Sequence, residues 1–257
     1  MNSQAIWRRL MLAAQFLTII RVRVADPVTD DEQRGSAWFF PVVGLALGAV
    51  LAATGGALRC MLPWPVVAAL LVVELVILTG ALHLDGLADT CDGFYAGRER
   101  GDVLRIMKDP HIGTMGVVGL ICVLGLKAVS LMNVPMEHAL WVAAAAPLVG
   151  RSAVVIACAM GRYAREEGTG KTYIGRLSHE QAWVALVMAV LGCTMLRRFP
   201  AALLAFVLAG IWLWFFLRYC NRRIGGLTGD TVGALNETTE LIVWVAATCP
   251  WSVFGSQ

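Results

Sequence analysis

Long apolar stretches alternate with short polar segments along the chain. The apolar stretches cover residues 38–58, 64–84, 112–132, 139–159, 182–196, 199–217 and 233–253. A helix needs about 20 apolar residues to cross the hydrocarbon core of a bilayer, and all but the fifth stretch approach that length. The fifth is short, so the fifth and sixth could instead form one irregular or re-entrant unit. The pattern predicts an all-α, polytopic integral membrane protein with about seven transmembrane helices.

The segment before the first stretch combines apolar and basic residues. Two arginines precede the apolar residues 10–20, and Arg21 and Arg23 follow them directly. The start resembles a signal peptide, but the small residues of a cleavage site are missing. We therefore expect residues 1–37 to form an N-terminal helix in the membrane interface and a polar connection.

Composition agrees with a membrane protein and excludes several other classes. Hydrophobic residues make up 58% of the 257 residues and charged residues only 15%, against about 25% charged in soluble domains. Disordered chains have low hydrophobicity, which this chain does not. The net charge of +3 predicts no nucleic-acid partner. The seven cysteines are scattered without a C-x-x-C pair, which argues against a disulfide framework or a structural zinc site.

Positive charge is distributed unevenly between the two ends of the predicted spans. Most of the 21 Lys and Arg residues lie before the first stretch, after the second and fourth, and before the seventh. Arg59, Arg197 and Arg198 lie in loops on the opposite side. Cytoplasmic loops are enriched in Lys and Arg, so we expect the N-terminus and the large loops in the cytoplasm.

An acidic motif stands at the end of the second stretch. Asp85, Asp89 and Asp92 are spaced by four and three residues, which places their side chains on one face of a helix. Like charges so close repel each other unless a cation neutralises them. Mg²⁺ is commonly held by carboxylates together with substrate phosphates. A solvated acidic helix end is the alternative, but no Lys or Arg is interleaved with these acids.

A glycine-rich turn opens the seventh stretch. Gly226 and Gly229 precede a predicted helix start, where free backbone N–H groups and the helix dipole favour phosphate. Asp230 and Glu237 are seven residues apart and share a helix face. Glu237 and Glu240 lie inside the expected membrane boundary, where ionisable groups are rare and usually functional. The alternative is a capped helix start whose acids reach outward.

Basic residues complete the candidate site. Arg105, Lys108 and Asp109 precede the third stretch, and Arg165 follows the fourth. Basic groups that face metal-bound acids are what a pyrophosphate needs on its other side. For these loop residues, the positive charge of cytoplasmic loops is an equally good explanation. Lys127 and Arg151 lie inside predicted spans, where burial of a cation is costly, and this favours a function.

Together these features predict metal-assisted transfer of a phosphoryl-linked group on the cytoplasmic side. A cation-coupled transporter is the alternative from another class. In a transporter the acids would lie near the membrane midplane, on paired, interrupted helices. Here the acids lie near one interface beside basic loops, which favours an enzyme.

The acidic motif from His83 to Gly93 strongly resembles the signature of the cobalamin synthase family, the adenosylcobinamide-GDP ribazoletransferases. Further segments are similar to that family in the same order: residues 106–109, 112–114, 163–168 and 225–231, with Gly233, Glu237 and Glu240. The CDP-alcohol phosphotransferases of lipid synthesis are a rival. Their D-G-x-x-A-R pattern fits poorly, because Asp89 stands at the alanine and Thr90 at the arginine.

The resemblance implies a single membrane-embedded catalytic domain over residues 1–257, in the bacterial inner membrane with its active site facing the cytoplasm. It implies Mg²⁺-dependent transfer of the adenosylcobinamide-phosphate group from adenosylcobinamide-GDP to α-ribazole or α-ribazole 5′-phosphate. GMP leaves, and adenosylcobalamin or its 5′-phosphate forms. The lipid bilayer is the expected environment, and a homo-oligomer is compatible with it.

The resemblance also suggests roles for single residues. Asp85, Asp89 and Asp92 would hold Mg²⁺ against the pyrophosphate. Asp92 or Asp230 would accept the proton of the ribazole hydroxyl group. The expected substrate-binding residues are Arg105, Lys108, Asp109, Arg151, Arg165, Gly226, Gly229, Glu237 and Glu240.

Overall fold

The computed structural model describes residues 3–22, 24 and 27–249. These residues form α helices and two short 3₁₀ helices, Ala37–Phe39 and Thr169–Thr172, and they contain no β-strand. The all-α prediction is therefore confirmed. The helices are α1 (Ser3–Leu17), α2 (Asp30–Ser36), α3 (Phe40–Leu58), α4 (Trp64–Thr79), α5 (Leu82–Ala96), α6 (Arg100–Ile106), α7 (Thr114–Asn133), α8 (Met136–Met160), α9 (His179–Thr194), α10 (Phe199–Ile224) and α11 (Gly229–Ala247).

Four helical segments of the described chain are long and apolar enough to cross a membrane. They are Asp30–Leu58, α7, α8 and α10, and a fifth is added only if α4 and α5 count as one broken span. A polytopic membrane protein is confirmed, but the structure supports four or five spans rather than about seven. The 16 residues of α9 reach only about 24 Å, and α11 carries three carboxylates.

The predicted second span, residues 64–84, is interrupted. Helix α4 ends at Thr79, and α5 begins at Leu82 after a bend of 93°. Gly80 and Ala81 both adopt left-handed backbone conformations, and their N–H groups donate to the carbonyls of Ile77 and Val76. This is the usual way a glycine closes a helix C-terminus. The acidic motif consequently occupies a helix of its own, turned away from α4.

The predicted fifth, sixth and seventh stretches also differ from the structure at their ends. Helices α9 and α10 are separate, and α10 continues to Ile224, seven residues beyond the predicted end. Helix α11 begins at Gly229 and ends at Ala247. Residues 250–253, the predicted end of the seventh span, lie outside the described residues.

Small residues allow the helices at the centre to approach closely. Helix α8 is almost entirely buried, and α3 packs along it. A Cβ atom at Gly44 would collide with the carbonyl oxygen of Pro147, and one at Gly48 with that of Ala144. Helices in membranes commonly associate through such small residues, because backbone proximity gives the best van der Waals packing.

A second close crossing joins α5 to α11 and positions the candidate site. A Cβ atom at Gly86 would lie 2.7 Å from the carbonyl oxygen of Asp230. A Cβ atom at Gly233 would lie 3.1 Å from the carbonyl oxygen of His83. The two glycines therefore let the acidic helix α5 lie directly against the start of α11.

The basic loops meet at one end of the bundle. The Arg100 side chain donates to the carbonyls of Ile224 and Ala164, each at 2.9 Å. The backbone N–H of Leu227 donates to the carbonyl of Arg162 at 2.7 Å. The loops before α6, after α8 and after α10 are thus held together. These are loops for which the sequence predicts a common side of the membrane.

Helix α1 packs beside α2 and α3. Its Ala13 and Leu17 are buried, and Arg8 forms an ion pair with Glu32 at 2.6 Å. The predicted N-terminal helix is confirmed, and its 15 residues are too few to cross the membrane. Its position in the membrane interface stays a prediction.

Candidate active site

Three carboxylates from two helices form an acidic cluster: Asp85 and Asp89 of α5 and Asp230 of α11. Helix α5 lies outside the four spanning segments. Partial burial raises the pKa of Asp89 to about 7, and the negative charges of Asp85, Asp230 and Asp92 act in the same direction. Such mutual repulsion favours a bound cation or proton.

Arg165 is the cation that the structure brings to this cluster. One of its guanidinium nitrogens, Nη2, lies 2.8 Å from Oδ2 of Asp230. Burial raises the pKa of Asp230, while Arg165 and a hydrogen bond from Thr228 counteract the rise. Thr228 also caps α11 by accepting the backbone N–H of Thr231. Arg165 therefore partly offsets the negative charge of Asp89 and Asp230.

Asp92 has different partners from the other acids on its helix. Its Oδ2 accepts the backbone N–H of Gly113 at 2.7 Å, and its Oδ1 accepts that of Gly116 at 2.8 Å. These N–H groups belong to the N-terminus of α7, which a carboxylate stabilises. A Cβ atom at either glycine would lie 2.5 Å from a carboxylate oxygen of Asp92. The structure thus gives Asp92 a part in joining α5 to α7, and its role as a metal ligand stays a prediction.

Two cavities have Asp85 in their lining. A polar cavity of about 220 Å³ is lined by Asp85, Asp89, Lys108 and Asp109. An apolar cavity of about 250 Å³ also has Asp85 in its lining and reaches Asp230. The acidic cluster therefore stands between a charged compartment and an apolar one.

The three predicted site residues before α7, which are Arg105, Lys108 and Asp109, have different surroundings. Lys108 lines the polar cavity, whereas Arg105 is exposed and lies 3.4 Å from Asp102. Asp109 accepts hydrogen bonds from the backbone N–H of His111 at 2.9 Å and from its ring at 2.8 Å. These bonds lower the pKa of Asp109. Asp109 thus shapes the loop that carries Lys108.

Arg151, Glu237 and Glu240 belong to a buried ion-pair network in the helix core. The ammonium of Lys127 lies 2.6 Å from a carboxylate oxygen of each glutamate. Arg151 pairs with Glu240, and Asn236 donates to both glutamates. Two cations and two anions thus balance each other. Their predicted part in substrate binding stays a prediction, and the structure shows them bound to one another instead of lining the polar cavity.

The sequence contains a signal for this network. Lys127 and Arg151 are two cations in spanning helices, and Glu237 and Glu240 are two anions in a largely buried helix. Buried charges are usually paired, so equal numbers of opposite sign predict mutual pairing.

The two predicted glycines have different surroundings. A Cβ atom at Gly226 would collide with the carbonyl oxygen of Arg162, so only glycine lets the turn before α11 pass along the α8–α9 loop. Gly229 begins α11 and lines the apolar cavity.

Three aromatic side chains that the sequence does not single out line the apolar cavity. The ring of Phe16 lies 5.7 Å from that of Phe40 and 5.4 Å from that of Tyr173, measured between centroids. Phe40 and Tyr173 are also 5.4 Å apart. They come from three distant parts of the chain, so no local spacing predicts their cluster.

No group of three or more His, Cys, Asp or Glu side chains in the described part of the chain has the geometry of a ready-made metal site. The oxygen donors Asp85 and Asp89 nevertheless line one cavity. Their chemistry fits a hard cation that takes its other ligands from phosphate and water, as Mg²⁺ commonly does.

The sequence of this chain is similar to those of known proteins. The family model for cobalamin-5-phosphate synthase matches residues 9–248. A protein of Stutzerimonas stutzeri (strain A1501) named adenosylcobinamide-GDP ribazoletransferase is 39% identical over 237 residues, covering 92% of this chain and 96% of the relative. A protein of Klebsiella pneumoniae (strain 342) with the same name is 38% identical over 235 residues, covering 88% and 93%. No solved structure matches the chain.

The family match extends over nearly the whole chain, and it includes the acidic helix, the glycine turn and the basic loops that form the site. It confirms the resemblance that the acidic motif suggests. This membrane protein is a transferase that belongs to the cobalamin-5-phosphate synthase family.

Proposed function

We propose that this chain transfers the adenosylcobinamide-phosphate group from adenosylcobinamide-GDP to α-ribazole or α-ribazole 5′-phosphate, with release of GMP. The names of the relatives support these substrates. The observation that carries the proposal is the acidic cluster between a polar and an apolar cavity. This arrangement suits a charged diphosphate donor on one side and a less polar acceptor on the other.

Asp85 and Asp89 are the residues that would hold Mg²⁺. Both line the polar cavity, and burial together with the neighbouring carboxylates raises the pKa of Asp89. Bound Mg²⁺ supplies charge neutralisation for a diphosphate. Lys108 lines the same cavity and would bind phosphate oxygens from its other side.

Asp230 is the better candidate for the proton acceptor. It lines the apolar cavity, whereas both oxygens of Asp92 already accept backbone N–H groups. The acceptor hydroxyl oxygen would form a bond to the phosphorus of the adenosylcobinamide phosphate, and its proton would pass to Asp230. The bond from that phosphorus to the bridging oxygen would break, and GMP would leave with the electron pair. Arg165 would orient the Asp230 carboxylate.

The proposed location is the bacterial inner membrane, with the site at its cytoplasmic face. Its support is the grouping of the basic loops at the end of the bundle that carries the acidic cluster. Cytoplasmic loops are enriched in such residues.

The test is GMP release by purified protein in liposomes, supplied with adenosylcobinamide-GDP and each acceptor, with and without Mg²⁺. We expect Mg²⁺-dependent GMP release that equals the formation of a new cobamide. Asp85→Asn should abolish it, whereas Asp31→Asn is a matched control, because Asp31 is exposed on α2 and lines neither cavity. Release that is unaffected by Asp85→Asn, or absent from folded wild-type protein with both acceptors, would reject the proposal.

A further inference from the structure

The apolar cavity beside the acidic cluster is walled by three aromatic rings from three separate elements. Phe16 comes from α1, Phe40 from α3 and Tyr173 from the segment after the second 3₁₀ helix. Phe40 and Tyr173 are buried, whereas Phe16 is 38% exposed. Helix α1 therefore forms the outer wall of this cavity.

The rest of the cavity is largely apolar, although the polar side chains of His83 and Thr169 also belong to its lining. Its further lining includes Val154, Ile174 and Val232, while Asp85 and Asp230 stand together on the side of α5 and α11. A ligand that fits must therefore be apolar at one end and carry hydroxyl groups at the other. Ligand sites typically have this character, with an apolar lining and a few placed polar groups.

The size of the cavity limits the choice of occupant. About 250 Å³ accepts a bicyclic aromatic ring but not the much larger corrin macrocycle. Flat rings pack well among aromatic side chains in offset or edge-on arrangements. The cavity therefore suits a planar base better than it suits the donor.

We infer that this cavity is the subsite for the base of the acceptor nucleoside, which packs against the cluster of Phe16, Phe40 and Tyr173. The inference rests on the proposed function, since that function supplies the acceptor. Ribazole is a ribonucleoside whose dimethylbenzimidazole base is flat, bicyclic and without N–H donors. With the base in this cavity, its ribose hydroxyl groups face Asp85 and Asp230, and the donor diphosphate occupies the polar cavity.

The experiment measures binding of α-ribazole alone, by equilibrium dialysis against the purified full chain in detergent. We expect Phe16→Ala and Tyr173→Ala to weaken binding at least about tenfold, since each removes an aromatic contact. Tyr173→Phe keeps the ring and should bind like wild type. Phe215→Ala is the matched control, because Phe215 is exposed on α10, stacks with Tyr219 and does not line this cavity.

Kinetics separates this subsite from a general effect on the fold. In GMP-release assays the alanine variants should raise KM for the acceptor and leave KM for adenosylcobinamide-GDP unchanged. Folded Phe16→Ala protein that binds α-ribazole like wild type would overturn the subsite and leave the proposed function intact. Wild-type protein that neither binds α-ribazole nor releases GMP would overturn the proposed function and the subsite together. If Tyr173→Ala does not fold, the partly exposed Phe16 and the Tyr173→Phe variant carry the test.

Discussion

Neighbouring acids of one short helix have different chemical surroundings. Asp85 and Asp89 line a cavity and lie close to Asp230, while Asp92 accepts two backbone N–H groups of α7. The sequence predicts that all three share a helix face, and one helix does carry them. Which acid faces a ligand and which joins two helices depends on what lies opposite each side chain.

At the residue scale, we expect Asp89→Asn to lower kcat/KM for GMP release by about 100-fold, as removal of a group that neutralises transition-state charge often does. The variant should also melt at a higher temperature without Mg²⁺. The negative charge of Asp89 is destabilising there, since burial and neighbouring acids raise its pKa. Activity assays and thermal unfolding check both points. A variant with full activity would contradict the assignment.

Asp92→Ala separates the capping role from a role in metal binding. We expect it to destabilise the protein by about 1 kcal/mol, because the N–H groups of Gly113 and Gly116 lose their acceptor. The apparent Mg²⁺ affinity in GMP-release titrations should change less than in Asp89→Asn. If Asp92→Ala weakens Mg²⁺ as strongly as Asp89→Asn at unchanged melting temperature, Asp92 is a metal ligand.

At the scale of elements, the charges inside the bundle join α7, α8 and α11. Lys127 and Arg151 are almost fully buried, and the glutamates of α11 are their partners. Buried ion pairs add little stability by themselves, but removal of one member leaves an uncompensated charge. This network therefore specifies how three helices are placed relative to each other.

Removal of one charge should consequently lower the free energy of unfolding of the protein. We expect Lys127→Met to destabilise the protein by about 3 kcal/mol or more, since Glu237 and Glu240 would share a single cation. The double variant Lys127→Met/Glu237→Gln should recover part of that loss. Thermal unfolding in detergent measures both. A Lys127→Met protein of wild-type stability but with a raised KM for the donor would instead support direct substrate binding.

At the scale of the whole molecule, the two ends of the bundle differ in chemistry. The basic loops, the acidic cluster and both cavities lie at one end. The opposite end joins α3 to α4 and α7 to α8, where the Trp64 indole donates to the carbonyl of Leu131. This difference between the two ends predicts how the molecule is oriented in the bilayer.

The proposed orientation is tested by labelling intact cells with a thiol reagent that does not cross membranes. The exposed Cys60 lies at the end opposite the site, so it should be labelled from outside. In a Cys60→Ser chain, Lys171→Cys should be labelled only after the cells are opened, since Lys171 is exposed at the other end. Cys91, Cys122 and Cys249, the other cysteines that are not buried, are replaced by serine in both chains. The reverse pattern would reverse the orientation.

Local pattern was enough for much of this protein. Apolar stretches predict the spanning helices, because hydrocarbon excludes unpaired backbone groups and so demands helices of a certain length. The spacing of Asp85, Asp89 and Asp92 predicts one acidic helix, because the helical repeat is a property of neighbouring residues. The motif that carries the family resemblance is likewise continuous in the sequence.

Which distant residues come into contact depends on the tertiary structure. The crossing at Gly86 brings Asp230 to Asp85, although they are far apart in the chain. Arg151 finds Glu240, and the rings around Tyr173 come from three elements. These contacts depend on the angles and distances at which helices pack, and a helical period contains no information about them. The bend at Gly80 has a local cause, the left-handed backbone of Gly80 and Ala81. It turned one predicted span into two helices and set the acidic helix beside its cavities.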